Sequence, residues 1–178
     1  MALFKGTGTY FATEPILMEN LTNVYVGSYC SIGRSNIFDQ GWAHNIRAAS
    51  LYPFNKLFPQ QCGHITTHPI SKGDIKISDG VWSGHEVIFC SGINIGRGSI
   101  IGARSIVTKD VESYSIVAGS PAKFIRKRFD QWKIDLLETI KWWEWDLQYL
   151  LKFADLLQSD KDEHFRELEK IYYTFIKK

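Results

Sequence analysis

The chain of 178 residues has no long apolar run, little net charge and few cysteines. No stretch reaches the roughly 20 apolar residues of a transmembrane helix, and a formal net charge of +2 is too small to indicate nucleic-acid binding. The first twenty residues lack the uninterrupted apolar segment and small-residue cleavage site of a signal peptide. These absences predict a cytoplasmic protein with no membrane span and no nucleic-acid partner.

The three cysteines give neither a Cys-x-x-Cys motif nor a zinc-finger spacing. They are Cys30, Cys62 and Cys90. Because Cys30 and Cys90 fall within the repeat described next, and free cysteine is commonly buried, we expect these two to be small core residues.

The sequence does contain a six-residue repeat. Ile95, Ile101 and Val107 are spaced by six, and Gly96 and Gly102 follow the first two. Extended backwards, this register gives first positions that are apolar except for one serine: Ile77, Ser83, Phe89, Ile95, Ile101 and Val107. Second positions are small, and fifth positions are small or β-branched. The same pattern occurs earlier, in the segment "VGSYCSIGRSNI", with first positions at Val26 and Ile32.

A short fixed period with glycine at one phase is typical of a β-solenoid. Each hexapeptide forms one face of a triangular coil, and the first-position side chain points inward and stacks on its counterpart about 4.8 Å away in the next coil. An antiparallel sheet would show a period of two, which "IGRGSIIGARSI" does not. We therefore predict a mainly β fold, a parallel solenoid over residues 1–128.

Two segments depart from the repeat. Residues 38–73 are rich in aromatic residues, proline and histidine, and are predicted to be a loop that projects from the solenoid. Residues 129–178 have apolar residues at helical spacing and are predicted to be helices. We expect breaks near Trp145–Asp146 and Ser159–Asp160, where Asp146 and Ser159 or Asp160 would be N-caps.

The segments "IGARSIVTKDV", "VAGSPAKFIRKRF" and "YPFN" resemble the hexapeptide-repeat acyltransferases, in particular the xenobiotic branch that includes type B chloramphenicol acetyltransferases. The resemblance runs from about Val24 to Trp145. It implies a left-handed parallel β-helix and a homotrimer with active sites between subunits. It also implies acetyl-CoA as acyl donor, a small-molecule hydroxyl as acceptor, and a general-base histidine on the projecting loop.

The resemblance assigns the general base to His44, a few residues before "YPFN". Imidazole suits this role because its unperturbed pKa of about 6.5 leaves it largely neutral at pH 7. The acceptor is expected to contact Asp39, Trp42 and Tyr52. This region departs from the drug-modifying members, which typically carry Met-Asn-Gly-Ala-Asn-His where this chain has "FDQGWAH".

The resemblance also indicates a donor site along the later coils. Lysine and arginine would bind the phosphates of CoA, and small residues would let the pantetheine arm approach the backbone. The expected donor-binding residues are Trp82, Gly84, Gly102, Ala103, Thr108, Lys109, Lys123 and Arg126.

These features favour an acetyl-CoA-dependent O-acetyltransferase that acts on a sugar or surface-polysaccharide precursor, because Trp42 would suit stacking on a sugar ring. Three alternatives are an antibiotic acetyltransferase, a non-enzymatic interaction module and a metal-dependent hydratase. The last depends on "HITTH", His64 to His68, whose β-branched core and following proline disfavour a helical pair of ligands. No metal is therefore expected.

Overall fold

The structure, a computed structural model, describes residues 2–18, 21–41, 43–62 and 70–177. The chain divides into two compact units, Met1–Arg126 and Lys127–Lys178. In the described part of the chain, no helix is both long and apolar enough to cross a membrane.

Fourteen strands are found among the described residues. They are β1 (Leu3–Lys5), β2 (Tyr10–Phe11), β3 (Ile16–Met18), β4 (Val24–Val26), β5 (Ser31–Ile32), β6 (Ile37–Asp39), β7 (Ile75–Ile77), β8 (Trp82–Ser83), β9 (Ile88–Cys90), β10 (Asn94–Ile95), β11 (Ile100–Ile101), β12 (Ile106–Val107), β13 (Ser115–Ala118) and β14 (Lys123–Lys127).

The strands form three sheets in the orders β1-β4-β7-β10, β14-β13-β11-β8-β5-β2 and β12-β9-β6-β3. The pairings described between strands are parallel, and each sheet takes every third strand through β12. The first twelve strands therefore make four complete triangular coils, followed by β13 and β14. This confirms the predicted fold, a left-handed parallel β-helix.

The six-residue register correctly predicted which side chains point inward. The first-position residues from Ile77 to Val107 are at most 3% exposed, and the serine among them is as buried as its neighbours. The fifth-position residues are buried as well, and Cys30 is 1% exposed. Cys90 differs from the prediction: it is only half-buried, because it follows the inward-pointing Phe89 in an extended strand and so points the other way.

The loop begins later than residue 38. Phe38 is fully buried and stacks on Phe89 of the next coil, with ring centroids 5.2 Å apart. Phe38 lies six residues after Ile32, so it continues the series of first positions. The excursion between β6 and β7 thus spans residues 40–74, and its described part contains a short helix, α1 (Phe54–Leu57).

The first coil, β1 to β3, precedes the two segments in which the six-residue repeat is evident. Its inward positions are Lys5, Phe11 and Leu17, paired with Val26, Ile32 and Phe38 of the second coil. These residues also keep a period of six. The signal is hidden because a lysine occupies the first of them and because three extra residues separate this coil from the next.

The second unit is helical, as predicted. Its helices are α2 (Gln131–Ile140), α3 (Leu147–Lys152), α4 (Ala154–Leu157) and α5 (Asp162–Ile171), with a 3₁₀ turn at Trp142–Glu144 and a π-helical end at Tyr172–Ile176. Asp146 is the N-cap residue of α3. The N-cap of α5 is Lys161, so the prediction of Ser159 or Asp160 is wrong. The Ser159 hydroxyl instead accepts a hydrogen bond from the N–H of Lys161.

Candidate active site

His44 lies close to the base of the excursion between β6 and β7. The preceding residue, Ala43, forms an antiparallel bridge with Ile70, in which the N–H of Ile70 donates to the carbonyl of Ala43 at 2.9 Å. This bridge joins the outgoing and returning strands of the loop. The bridge fixes the backbone at Ala43, directly before His44, although the side chain of His44 is exposed.

The imidazole of His44 is held by a main-chain carbonyl. Its Nδ1 atom lies 2.6 Å from the carbonyl oxygen of Leu51. A carbonyl oxygen can only accept a hydrogen bond, so Nδ1 must carry the proton. The lone pair of the neutral ring is then on Nε2, which makes Nε2 the atom able to take up a proton.

A tight turn brings Leu51 back to His44. The side-chain oxygen of Asn45 accepts the N–H of Arg47 at 3.0 Å, and its carbonyl accepts the N–H of Ala48 at 3.0 Å. Asparagine favours such turns because its side chain can replace a backbone acceptor. Seven residues therefore suffice for the chain to fold over the ring of His44.

The residues predicted to contact the acceptor occupy the two ends of this region. Tyr52 is half-exposed and packs edge-to-face on Phe54, with centroids 4.8 Å apart. Asp39 ends β6, and its carboxylate accepts the N–H of Gly41 at 3.1 Å. Trp42 lies outside the described residues, as do His64 and His68.

The structure groups some of the predicted donor residues on one face of the solenoid. Trp82 is 53% exposed and points outward from β8, beside Ile100 of β11. Gly84 lies directly below Ala103 of the next coil, and a Cβ atom on Gly84 would meet the Ala103 nitrogen at 2.6 Å. Gly84 is therefore required by the stacking of the coils themselves, whatever its part in donor binding.

The remaining donor residues lie further along the solenoid. A Cβ atom on Gly102 would approach the Cβ of Ala118 to 2.7 Å, so this glycine also allows close coil packing. Thr108 and Lys109 are exposed and follow β12. Lys123 and Arg126 are exposed on β14. His44 lies on the loop that follows the second coil. The donor residues named in this paragraph lie further along, in or directly after the fourth coil and on β14.

The two cysteines of the solenoid are weakly acidic. Burial raises the pKa of the Cys30 thiol, and the Asp79 carboxylate adds to this effect. Burial also raises the pKa of the Cys90 thiol, and the Asp39 carboxylate raises it further while Lys72 opposes the change. A thiol with a raised pKa is a poor nucleophile at neutral pH, so neither thiol suits covalent catalysis.

Among the residues that the structure describes, no three His, Cys, Asp or Glu side chains are grouped so that they could hold a metal ion. His85 is exposed at a corner of the solenoid, and His164 is half-buried in α5. Of the three described histidines, His44 alone lies on the projecting loop.

Comparison with known proteins identifies the class. No family model matches the chain. A chloramphenicol acetyltransferase of Agrobacterium fabrum is 40% identical over 147 residues, which cover 79% of this chain and 69% of that protein. A probable macrolide acetyltransferase of Lysinibacillus sphaericus is 38% identical over 141 residues, 76% of this chain and 77% of that protein.

Solved structures share the fold. A hexapeptide-repeat acetyltransferase of Vibrio cholerae, complexed with acetyl-CoA, superimposes with a TM-score of 0.58 at 24% identity and covers 72% of this chain and 61% of that one. The polySia-specific acetyltransferase NeuO gives a TM-score of 0.53 at 27% identity, over 86% of this chain and 63% of that one.

The chain therefore belongs to the hexapeptide-repeat acetyltransferases, in the branch of the chloramphenicol acetyltransferases. Its family membership makes it an acetyltransferase rather than the non-enzymatic interaction module considered above. The hydrogen bond between His44 and Leu51 could not be predicted from the sequence, because any residue type can supply a main-chain carbonyl.

Proposed function

We propose that this protein transfers the acetyl group of acetyl-CoA to a hydroxyl of a small molecule, with His44 as general base. The observation that carries the proposal is the contact of 2.6 Å between Nδ1 of His44 and the carbonyl of Leu51. It fixes the tautomer whose Nε2 accepts a proton, which is what a general base requires.

In the proposed reaction the acceptor hydroxyl gives its proton to Nε2 of His44 as its oxygen attacks the thioester carbon. The C–O bond forms and the carbonyl becomes a tetrahedral oxyanion. When the oxyanion collapses, the C–S bond breaks, and the CoA thiolate takes from the imidazolium the proton that came from the acceptor hydroxyl. The carbonyl of Leu51 supports this sequence because its hydrogen bond with Nδ1–H strengthens when the ring is positively charged.

The donor would lie along the outer face that carries Trp82, Gly84, Gly102 and Ala103. The small residues among them keep the surface flat enough for an extended pantetheine arm. The exposed cations and hydroxyl further along would bind the phosphates. These are Thr108, Lys109, Lys123 and Arg126.

For the acceptor we propose a sugar or a surface-polysaccharide precursor. Two features support this class: the exposed aromatic pair of Tyr52 and Phe54 beside the segment that holds His44, and the similarity in sequence and structure to a polySia-specific acetyltransferase. Asp39 and Trp42 are proposed to contact the same acceptor. Aromatic rings pack well on the apolar face of a pyranose, and a carboxylate accepts hydrogen bonds from its hydroxyls.

An antibiotic is the second candidate acceptor. The observation in its favour is that relatives 38–40% identical to this chain over 141–147 aligned residues are named chloramphenicol and probable macrolide acetyltransferases. The exposed apolar side chains of the loop, including Ile46 at 86% and Leu51 at 54% exposure, would suit such a ligand.

We also propose that the protein is a homotrimer with active sites between subunits. An aliphatic column on the outside of one sheet supports this. Ile16, Ile37, Ile88 and Ile106 pair in register from β3 through β6 and β9 to β12, and all four point away from the core. A continuous apolar stripe on a surface is usually covered by another protein surface.

The test is thiol release from acetyl-CoA by the purified protein, with nucleotide sugars, free sugars, chloramphenicol, a macrolide and streptogramin A as acceptors. We expect release to depend on a sugar and to fall about 100-fold or more in His44→Ala. If an antibiotic is acetylated and no sugar is, the acceptor is an antibiotic and the sugar proposal is wrong. Equal activity in wild type and His44→Ala would refute the assignment of the base.

A further inference from the structure

The peptide unit between Leu51 and Tyr52 is held at both ends. Its carbonyl oxygen accepts the hydrogen bond from Nδ1 of His44 at 2.6 Å. Its N–H, which belongs to Tyr52, donates to the hydroxyl oxygen of Ser50 at 3.1 Å. The side chain of Ser50 therefore binds the same peptide unit whose carbonyl binds His44, the proposed general base.

The two bonds are mechanically coupled. A peptide unit is planar and rigid, and its N–H and C=O point in opposite directions. The direction of the N–H consequently fixes the direction of the carbonyl. When the hydroxyl of Ser50 orients the N–H of Tyr52, it also aims the carbonyl of Leu51 at the ring of His44.

Within one subunit, packing contributes little to this orientation. His44 and Ser50 are exposed, Leu51 is 54% exposed and Tyr52 is 50% exposed. A segment with so little buried surface depends on its local hydrogen bonds to keep one conformation. On the other side of the unit, the carbonyl of Tyr52 accepts the N–H of Phe54 at 2.9 Å, which fixes the next peptide but not this one.

We propose that Ser50 is a positioning residue for His44, acting through the Leu51–Tyr52 peptide. The proposal rests on His44 being the general base. Without the hydroxyl, the N–H end of the peptide is no longer held, and the ring then spends less time with Nδ1 protonated and Nε2 presented to the acceptor. We expect Ser50→Ala to lower kcat about 3- to 10-fold, the effect of losing one ordinary hydrogen bond, and to leave the KM for acetyl-CoA unchanged.

The conservative variant and a matched control separate this role from a general loss of structure. Ser50→Thr keeps a hydroxyl at the same position and should retain wild-type kcat within about twofold. Ser159→Ala removes the same kind of bond, from the N–H two residues ahead at 3.2 Å, in the helical unit. It should leave kcat unchanged. An equal loss of kcat in Ser159→Ala would show that the effect of Ser50→Ala is not specific to the base.

The decisive measurement is a double-mutant cycle with His44→Ala. If Ser50 acts only through the ring, Ser50→Ala in the His44→Ala background should cause no further loss of acetyl transfer. A further loss of the full 3- to 10-fold, or a raised acceptor KM in both backgrounds, would overturn the proposal and make Ser50 an independent contact of the acceptor or of the fold.

The same variants keep this proposal distinct from the proposed function. If His44→Ala is as active as wild type, the assignment of the base has failed. If His44→Ala is inactive but Ser50→Ala matches wild type, the base stands and only the role of Ser50 is refuted. A spectroscopic readout is independent of turnover: ¹⁵N NMR at alkaline pH should show His44 protonated on Nδ1 in wild type and Ser50→Thr, and a shift toward Nε2 protonation in Ser50→Ala.

Discussion

The side-chain amide of Asn36 donates a hydrogen bond of 2.6 Å to the hydroxyl oxygen of Ser83 inside the solenoid, where both residues are fully buried. The side-chain oxygen of Asn36 accepts the N–H of Val87 at 2.7 Å. Ser83 is the polar exception among the inward first positions of the repeat. The structure shows that Ser83 forms a buried polar pair with Asn36. Each residue satisfies a polar group of the other, so the serine is compatible with a buried position.

Replacing Ser83 with valine should destabilise the protein, although it makes the repeat more regular. The new methyl groups cannot accept the N–H of Asn36, and a buried donor without a partner costs about 1–3 kcal/mol. Ser83→Thr is the matched control, because threonine and valine have the same shape and differ only in the hydroxyl. Urea unfolding should give Ser83→Val the lower free energy of unfolding by about that amount. Equal stability of the two variants would contradict the buried-pair explanation.

Much of the solenoid was predictable because its geometry acts directly on side-chain type. Inward side chains stack on those of the next coil and, apart from Ser83, are apolar, so the period of six marks the core from Ile77 to Val107. The same period also reaches Phe38, a signal that the aromatic loop next to it obscured. The first coil was hidden because Lys5 occupies an inward position at the open end of the prism, where an amphipathic side chain is tolerated.

The features that could not be predicted depend on backbone atoms, or on backbone conformations that the residue types at those positions do not indicate. The base was expected at His44 from family motifs, but its hydrogen bond to the carbonyl of Leu51 depends on how the loop folds. The end of α2 was missed for a similar reason. Lys141 adopts a left-handed conformation with φ of 44°, and the Trp145 side chain donates to the carbonyl of Ile140 at 2.7 Å. Neither lysine nor tryptophan is a usual signal of a helix end.

Neutralising Asp39 should make Cys90 more reactive. The carboxylate raises the pKa of the Cys90 thiol, so Asp39→Asn should lower that pKa and increase the thiolate fraction at pH 8. We expect the alkylation rate of Cys90 by iodoacetamide, followed by peptide mass spectrometry, to rise about two- to fivefold. Asp155→Asn, an exposed position in α4, is the charge-matched control and should leave the rate unchanged. A slower rate in Asp39→Asn would refute the electrostatic coupling.

A charge in the outer isoleucine column should prevent assembly. Ile88 lies in the middle of the column, between Ile37 and Ile106. Ile88→Glu would have to bury a carboxylate if the column is covered by a neighbouring subunit, at a cost of several kcal/mol. Light scattering should therefore find a trimer for wild type and a smaller species for the variant. Leu151→Glu, at an exposed position of α3, should remain trimeric. A trimeric Ile88→Glu would mean that this face is not the interface.

Lys123 should recognise the 3′-phosphate of CoA, and a substrate that lacks this group can test the contact directly. Lys123 is exposed on β14, where a long flexible cation can reach a phosphate without distorting the fold. We expect Lys123→Ala to raise the KM for acetyl-CoA about 3- to 10-fold with little change in kcat, because the phosphate takes no part in the bond changes.

With acetyl-dephospho-CoA as donor, wild type should already show the raised KM, and Lys123→Ala should add nothing to it. Lys161→Ala, an exposed lysine before α5, is the control for the loss of one positive charge and should leave both KM values unchanged. If Lys123→Ala weakens both donors equally, the lysine contacts another part of the molecule, such as the pyrophosphate. If neither KM changes, Lys123 lies outside the donor site, and the basic strand β14 has to be removed from the proposed CoA groove.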